Sequence, residues 1–303
     1  MSWIVIALVS GVAWAGVSIV DKILLQNYFR SHVTLWLAIS LPQGIVGLAF
    51  VGGFAWSSDL TSTGTLWAFV SGAISGLSGL FLLYALKSQE VSRVAPIAQT
   101  SPIFAAILAF FFLDETLTLV QWVAVMTTVA GAILLSTHRD AEHHNLFLDR
   151  SLFPIMLASI LMAAGQVVSK AALDTLSVPL VHGLRSLGLS TVLFWASIPS
   201  KDARNEFMRL VRSRSNGLVL VGVGDMGLAL GAVLLFLWAL STGPVGLVSA
   251  LGVTRSLFVL LFSTLLTLKF GDILGEKVTP GVLGLKLISI TLIAAGVGAI
   301  ALS

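Results

Sequence analysis

The chain contains ten apolar runs, each long enough to cross a bilayer as a helix. A spanning helix needs about 20 mostly apolar residues, because each residue advances about 1.5 Å along the helix axis. Runs such as 103–113 show no alternation of polar and apolar residues, which excludes barrel strands. We therefore predict an all-α polytopic membrane protein. Its spans 1 to 10 cover residues 3–24, 33–56, 65–86, 92–113, 118–136, 152–174, 178–199, 217–241, 244–268 and 282–302.

The composition excludes most soluble classes. Only 10% of the 303 residues are charged and 57% are hydrophobic, whereas soluble domains carry about 25% charged residues. The chain has no cysteine, so disulfides, thiolate metal sites and cysteine nucleophiles are excluded. Its net charge is +3, but the basic residues lie in short segments between apolar runs. We interpret this as a membrane-orientation signal and expect no nucleic-acid partner.

The distribution of charge predicts the orientation. Most of the 17 Lys and Arg residues lie at odd-numbered connections, the largest group being 201–214. The even-numbered connections carry acids instead, namely Asp59, Asp114, Glu115 and Asp174. Because positively charged connections stay in the cytoplasm, we expect both termini outside a cell (inner) membrane.

The sequence also contains an internal repeat. Residues 84–104 align with 238–258 at a constant offset of 154 residues (84 to 238), and weaker matches pair Lys22 with Lys170 and Gly131 with Gly296. A five-helix unit has an odd number of crossings, so its second copy is inverted. Inverted repeats place a binding site between the halves and support alternating access. We predict a first repeat at 1–137, a connecting loop at 138–151 and a second repeat at 152–303.

Short motifs within both copies carry a family resemblance. They are Ala85-Leu86, Val94-Ala95-Pro96, Ser101-Pro102-Ile103-Phe104, Asp114–Thr118 and Gly131 in the first copy, and Ala239-Leu240, Gly243-Pro244, Glu276 and Gly296 in the second. The chain resembles the EamA domain of the drug/metabolite transporter (DMT) superfamily over nearly its whole length. This resemblance implies ten helices around a central cavity, spans 5 and 10 at the periphery, and transport of small metabolites, often export. It also implies cytoplasmic termini, contrary to the charge distribution, and Ser256 replaces Pro102 in the second copy.

Two charges lie deep inside the spans. Arg255 is about 16 Å into span 9, and Asp225 is about 12 Å into span 8 from the other surface. An ionised group there costs about 2.5–3.5 kcal/mol, so each one needs a reason. One interpretation is a salt bridge that holds the two spans together. The other places Arg255 in the cavity, where it binds an anionic substrate group bidentately, with Asp225 as its counter-ion and a proton carrier.

Other polar residues extend the predicted site. We expect Arg185, Lys170 and Thr254 to join Arg255 in binding substrate, and His182 to serve with Asp225 in coupling. The alternatives are a structural role for Arg185, snorkelling of Lys170 to the headgroups, and an interfacial His182.

Two further patterns carry little weight. The GxGxxG pattern at 222–227 has no preceding strand and does not indicate a dinucleotide site. The histidines around Glu142 lack a fixed scaffold for metal, so no cofactor is predicted.

These observations favour a secondary or facilitative transporter of a small polar metabolite, anionic or zwitterionic, and not an enzyme. No ATP-binding motif is present, so a gradient or exchange must supply the energy. The alternative is an integral-membrane enzyme or a flippase that acts on lipid-linked substrates. The expected partners are the substrate and membrane lipids, with the chain as a monomer or homodimer.

Overall fold

The computed structural model describes residues 2–55, 62–88, 91–136, 153–270 and 280–303. Its regular structure in these ranges is entirely helical. It comprises α1 (Trp3–Asn27), α2 (His32–Phe54), α3 (Ser62–Ser88), α4 (Val91–Ala98), α5 (Ser101–Leu113), α6 (Leu119–Ser136), α7 (Phe153–Leu173), α8 (Val178–Ser197), α9 (Lys201–Arg212), α10 (Asn216–Val223), a π-helical segment (Gly224–Ala229), α11 (Leu230–Thr242), α12 (Val245–Gly252), α13 (Arg255–Phe270) and α14 (Pro280–Leu302).

Each predicted span coincides with one helix or with a joined series. Span 4 consists of α4 and α5, span 8 of α10, the π segment and α11, and span 9 of α12 and α13. Eight of the spans are long and apolar enough to cross a membrane. The other two are α8, which carries His182 and Arg185, and α14, whose described apolar part is Leu287–Leu302. The all-helical polytopic fold is confirmed, and the count of ten crossings stays a prediction.

Among the described helices, only α9 lies outside the spans. The Ser200 hydroxyl accepts a hydrogen bond at its N-terminus. Glu206 fastens the helix to the start of α2, because its two carboxylate oxygens accept from the Arg30 N–H (2.7 Å) and the Thr34 hydroxyl (2.6 Å).

Glycines allow the helices to pack with their backbones in contact. A Cβ at Gly72 of α3 would overlap the Arg185 carbonyl of α8, and one at Gly188 of α8 would overlap the Phe69 carbonyl of α3. Hydrocarbon provides little hydrophobic drive for helices to associate, so close van der Waals packing at small residues replaces it. This packing fixes α8, which carries two of the predicted site residues.

Several contacts between the halves occur in reciprocal pairs. In α6 and α14, Gly131 lies against Ile293 while Gly296 lies against Thr128. Gly131 corresponds to Gly296, and Thr128 corresponds to Ile293, at an offset of 165 residues (131 to 296, 128 to 293). The two contacts are therefore equivalent, with the roles of the two helices exchanged. Exchange of two equivalent units produces this pattern. The boundaries of the repeats stay a prediction, and the connecting loop, with its histidines, lies outside the described residues.

A second reciprocal pair consists of hydrogen bonds. The Ser10 hydroxyl donates to the Ala232 carbonyl (2.8 Å), and the Ser78 hydroxyl donates to the Ala158 carbonyl (2.7 Å). Ser10 corresponds to Ala158 at the offset of Lys22 and Lys170, and Ser78 corresponds to Ala232 at the offset of 154 residues. The two halves therefore contact each other in a two-fold manner at separate places.

We expect Gly296→Ala to lower the melting temperature of the purified protein by several degrees. Its new methyl group would overlap Thr128, and overpacking costs about 1–3 kcal/mol. Gly298→Ala on the same helix is the matched control, because no atom lies within 4 Å of its Cβ position. Equal melting of the two variants by tryptophan fluorescence would contradict close packing of α6 on α14.

Candidate functional site

A cavity of about 370 Å³, mainly apolar but with several polar side chains in its wall, lies among the helices of the two halves. Its volume lies within the range of about 300–1,000 Å³ that is typical of small-molecule sites. Spans 1 to 4 and 6 to 9 supply its described lining, and spans 5 and 10 supply none of it. This arrangement matches the one implied by the resemblance. The charged and amide-bearing lining residues are Asp21, Gln43, Gln99, Gln166, His182, Arg185 and Arg255, and the large aromatic ones are Trp14, Trp36 and Phe236.

The breaks in spans 4 and 9 open onto this cavity. The first break separates Ala98 from Ser101, and the second separates Gly252 from Arg255. These four residues line the cavity, and the two breaks occupy corresponding positions at the offset of 154 residues. Interrupted helices are tolerated at membrane depth where they border a cavity, because polar groups there can reach partners other than lipid.

Arg255 lies at the first position of α13 and lines the cavity. The positive charge of Arg255 is stabilised electrostatically by the carboxylate of Asp21 in α1, which lines the same cavity. We expected Asp225 in this role. Asp225 belongs to the π-helical segment, but its side chain lies outside the described part of the chain, so its pairing with Arg255 stays a prediction.

Arg185 is placed differently. Its Nη2 donates a hydrogen bond to the Ser75 hydroxyl of α3 at 2.9 Å, and Ser75 in turn donates to the Ser71 carbonyl at 2.8 Å. Gly165 of α7 leaves room for this hydroxyl, since a Cβ there would lie 2.8 Å from it. No carboxylate among the described residues pairs with the Arg185 guanidinium. The cavity therefore contains a cation that has a hydroxyl partner but no counter-ion in the described part of the chain.

His182 lies one helical turn before Arg185. It is only 1% exposed, its ring packs edge-on against Phe50 at 5.1 Å between centroids, and its Nε2 lies 3.5 Å from the Ser186 hydroxyl. Its Nδ1 has no hydrogen-bond partner among the described residues. His182 thus lies at the cavity wall, beside the positive charge of Arg185.

Lys170 does not belong to the described cavity lining. Its Nζ donates to the carbonyls of Leu240 (2.8 Å), Ser241 (3.3 Å) and Gly243 (3.3 Å), at the C-terminus of α11. A cation at this end of a helix also offsets the negative end of the helix dipole. The Lys170 ammonium group is therefore satisfied by carbonyls at a helix C-terminus and lies outside the described cavity lining, and its role in substrate binding stays a prediction.

Glu115 caps the helix that begins after the same turn. Its Oε2 accepts from the backbone N–H of Val245, the first residue of α12, at 2.7 Å. Pro244 precedes Val245 and has no side-chain acceptor, so Glu115 supplies the cap. Burial raises the pKa of the Glu115 carboxyl, while the Val245 hydrogen bond and the charge of Lys170 oppose this rise.

Thr254 lies beside the cavity but not in its described lining. Its side chain is 2% exposed, and its hydroxyl donates to the Leu251 carbonyl at 2.6 Å.

Span 8, which carries the predicted site residue Asp225, changes to π-helical geometry over Gly224–Ala229, and Gly224 and Ala229 line the cavity. Such π segments are common at functional sites.

Sequence reasoning missed Asp21 and the three glutamines of the lining. Asp21 directly precedes Lys22 near the end of span 1, where an adjacent Asp and Lys suggest an interfacial pair. The signal available in the sequence was an acidic residue inside span 1. Glutamines are uncharged and carry no such signal.

Comparisons with known proteins agree with this geometry. The EamA-like transporter family matches residues 1–137. An "Uncharacterized transporter in cobO 3'region" from a Sinorhizobium species is 31% identical over 137 residues, which are 45% of this chain and 96% of that protein. The chain belongs to the EamA-like transporter family. It is therefore a multi-pass membrane transporter, and family membership indicates transport and not catalysis.

Two further similarities extend this result. An uncharacterized protein of Methanocaldococcus jannaschii is 36% identical over 70 residues, which are 23% of this chain and 51% of that protein. The chain is also similar to a protein of known crystal structure. The match covers 99% of this chain and 96% of that chain, with a TM-score of 0.66 and 18% sequence identity. At this identity the structure shows that the fold is shared over the whole transporter.

We expect Asp21→Asn to destabilise the transporter, because it leaves the Arg255 guanidinium without the carboxylate that acts on it. Removing the counter-charge of a buried cation is destabilising, because the desolvation of the cation is then less compensated. The double variant Asp21→Asn/Arg255→Gln should recover much of this loss. Melting temperatures of the wild type, both single variants and the double variant measure the coupling. Asp174→Asn, at an exposed acid, is the control, and strictly additive effects would contradict the pairing.

Proposed function

We propose that the protein is a secondary transporter that moves a small organic anion or zwitterion by alternating access through the cavity. One observation carries the proposal: Arg185 lines the cavity, and its guanidinium has a hydroxyl partner but no carboxylate partner among the described residues. An ionised side chain at mid-membrane costs about 2.5–3.5 kcal/mol, which a bound anion would offset. The positive group thus has a functional reason to be there.

The chemistry of arginine supports an anionic group on the substrate. Its planar guanidinium presents paired N–H donors that match the two oxygens of a carboxylate or a phosphate. Ser75 uses one Nη2 donor of Arg185, which leaves further donors for a ligand. Arg255 differs because Asp21 already acts on it. We therefore assign the main anion contact to Arg185, and a second contact to Arg255.

The rest of the lining supports a zwitterion or a hydroxylated anion as well. Asp21 provides a negative group, and the amides of Gln43, Gln99 and Gln166 provide donors and acceptors. Trp14 and Trp36 offer apolar faces for a carbon skeleton. A lining that mixes both charges with amides and aromatic rings suits a small metabolite with both polar and apolar parts.

Alternating access is supported by where the cavity lies. Equivalent helices of both halves line it, and the interrupted spans 4, 8 and 9 border it. Inverted repeats rock about a fixed central site of this kind. His182 and Asp225 are the proposed coupling groups, with Asp21 as a third. The location in a cell (inner) membrane with both termini outside belongs to the same proposal, and so does a monomer or homodimer.

The decisive test uses purified protein in proteoliposomes. A thermal-shift panel of L-lactate, L-malate, L-glutamate and inorganic phosphate selects an anion that stabilises the protein, and its radiolabelled form is then used for uptake. We expect Arg185→Gln to abolish stabilisation and uptake, because hydrogen bonds to a charged group contribute about 1.5–3 kcal/mol each. Arg255→Gln should weaken both. Arg209→Gln, the same change on exposed α9, should leave both unchanged.

Three results would contradict the proposal. Uptake by Arg185→Gln at the wild-type rate would remove Arg185 from the site. Stabilisation by none of the four anions would argue against an anionic substrate. Chemical conversion of a lipid-linked compound, or its movement between leaflets, would favour the enzyme or flippase alternative.

A further inference from the structure

The breaks in spans 4 and 9 are built in the same way, each around a threonine hydroxyl. In span 9 the Leu251 carbonyl accepts from the Thr254 N–H (3.0 Å) and from the Thr254 hydroxyl (2.6 Å). In span 4 the Ile97 carbonyl accepts from the Thr100 N–H (3.0 Å) and from the Thr100 hydroxyl (2.6 Å). The two threonines correspond at the offset of 154 residues.

The hydroxyl occupies the acceptor that a continuous helix would need. In an α-helix the N–H of each residue bonds to the carbonyl four residues earlier. The Leu251 carbonyl is therefore the normal partner of the Arg255 N–H, but Thr254 occupies it twice. No backbone acceptor for the Arg255 N–H occurs in the described part of the chain. Local bonds of this kind from threonine compete with the regular helix.

We infer that Thr254 is a positioning residue: its hydroxyl keeps span 9 broken, so that α13 begins at Arg255 and the guanidinium faces the cavity. This inference rests on the proposed function, because it assigns Thr254 to the placement of a substrate-contacting arginine. It also replaces the direct substrate contact that the sequence predicted for Thr254. The hydroxyl is already bonded, the side chain is 2% exposed, and α1 covers it, since a Cβ at Gly11 would lie 3.0 Å from the hydroxyl oxygen.

The geometry shows how large the effect on Arg255 would be. Val253 and Thr254 bond to the carbonyls three residues earlier, as in a 3₁₀-helix. Compared with α-helical residues, each such residue turns the chain by about 20° more and advances it by about 0.5 Å more. A continuous α-helix would therefore rotate Arg255 by about 40° around the axis and shift it by about 1 Å. At the end of a long side chain, that rotation moves the guanidinium away from its present place in the cavity wall.

The two breaks differ in what else maintains them. In span 4, Pro102 has no N–H to offer the Ala98 carbonyl, and its ring disfavours a continuous helix. Ser159 of α7 also donates to the Ile97 carbonyl at 3.0 Å. In span 9 the proline position is Ser256, whose hydroxyl donates to the Val253 carbonyl at 2.9 Å. The break in span 9 therefore depends on hydroxyl groups. The break in span 4 would still be maintained by Pro102 if the Thr100 hydroxyl were removed.

The test compares three variants by chemical modification. Phenylglyoxal condenses with accessible guanidinium groups, and mass spectrometry of peptides gives a separate rate for each arginine. In Thr254→Val, which keeps the shape but loses the hydroxyl, we expect the rate at Arg255 to change several-fold while the rate at Arg185 stays the same. Thr254→Ser, which keeps the hydroxyl, should restore the wild-type rate. Thr100→Val is the matched control and should leave Arg255 unchanged.

Several outcomes would overturn the inference. Unchanged modification of Arg255 in Thr254→Val would show that the hydroxyl does not position it. An equal change at Arg185, or an equal effect of Thr100→Val, would indicate a general loosening of the helices. If Thr254→Val does not fold, the modification rates at Arg255 and Arg185 are measured in Thr254→Ala instead, with the same expected and contradicting results.

Uptake measurements separate this inference from the proposed function. Thr254→Val should lower the affinity for the selected anion in the wild-type background, and should have no further effect in the Arg255→Gln background. An effect that persists without Arg255 would overturn the positioning role. Normal uptake by Arg255→Gln would instead remove Arg255 from the proposed transport site, while the modification rates would still report whether Thr254 orients it.

Discussion

The hydrocarbon core of a bilayer offers no water, so every polar group inside it must find its partner within the protein. This constraint accounts for the helical architecture and for where the helices are allowed to break. The interruptions of spans 4 and 9 border the cavity, and in each of them one threonine donates twice to the same carbonyl, through its backbone N–H and its hydroxyl. The same constraint places glycines such as Gly72 and Gly188 where two helix backbones touch.

The buried cations show three different ways of meeting that constraint. Lys170 is satisfied by three carbonyls at a helix C-terminus, which makes it part of the scaffold. Arg255 has the negative charge of Asp21, on α1, close enough to compensate part of its own charge. Arg185 has only the hydroxyl of Ser75 in the described part of the chain. Because its charge is the least compensated of the three, it provides the strongest reason to expect an anion in the cavity.

The sequence predicts the scaffold well and the site only in part. Span length and hydropathy predict the helices because both are properties of one continuous segment. Pro102 marks the break in span 4, but the break in span 9 has no comparable sign, since threonines also occur in unbroken helices. The partner of Lys170 depends on how α7 packs against the turn after α11, which no local pattern encodes. Asp21 was overlooked for the same reason, because its relation to Arg255 exists only once α1 lies against α13.

The two halves share a geometry, and their chemistry has diverged within it. The break in span 4 presents Gln99 and Ser101 to the cavity, whereas the break in span 9 presents Val253 and Arg255 at the corresponding positions. The two interrupted spans thus border the same cavity, and only the break in span 9 carries a cation there among the described residues. In the alternating access that we propose, a symmetric scaffold would let the halves exchange conformations at similar energy. An asymmetric lining is needed as well, because a small molecule with one anionic group can bind in a single orientation only where the two walls differ.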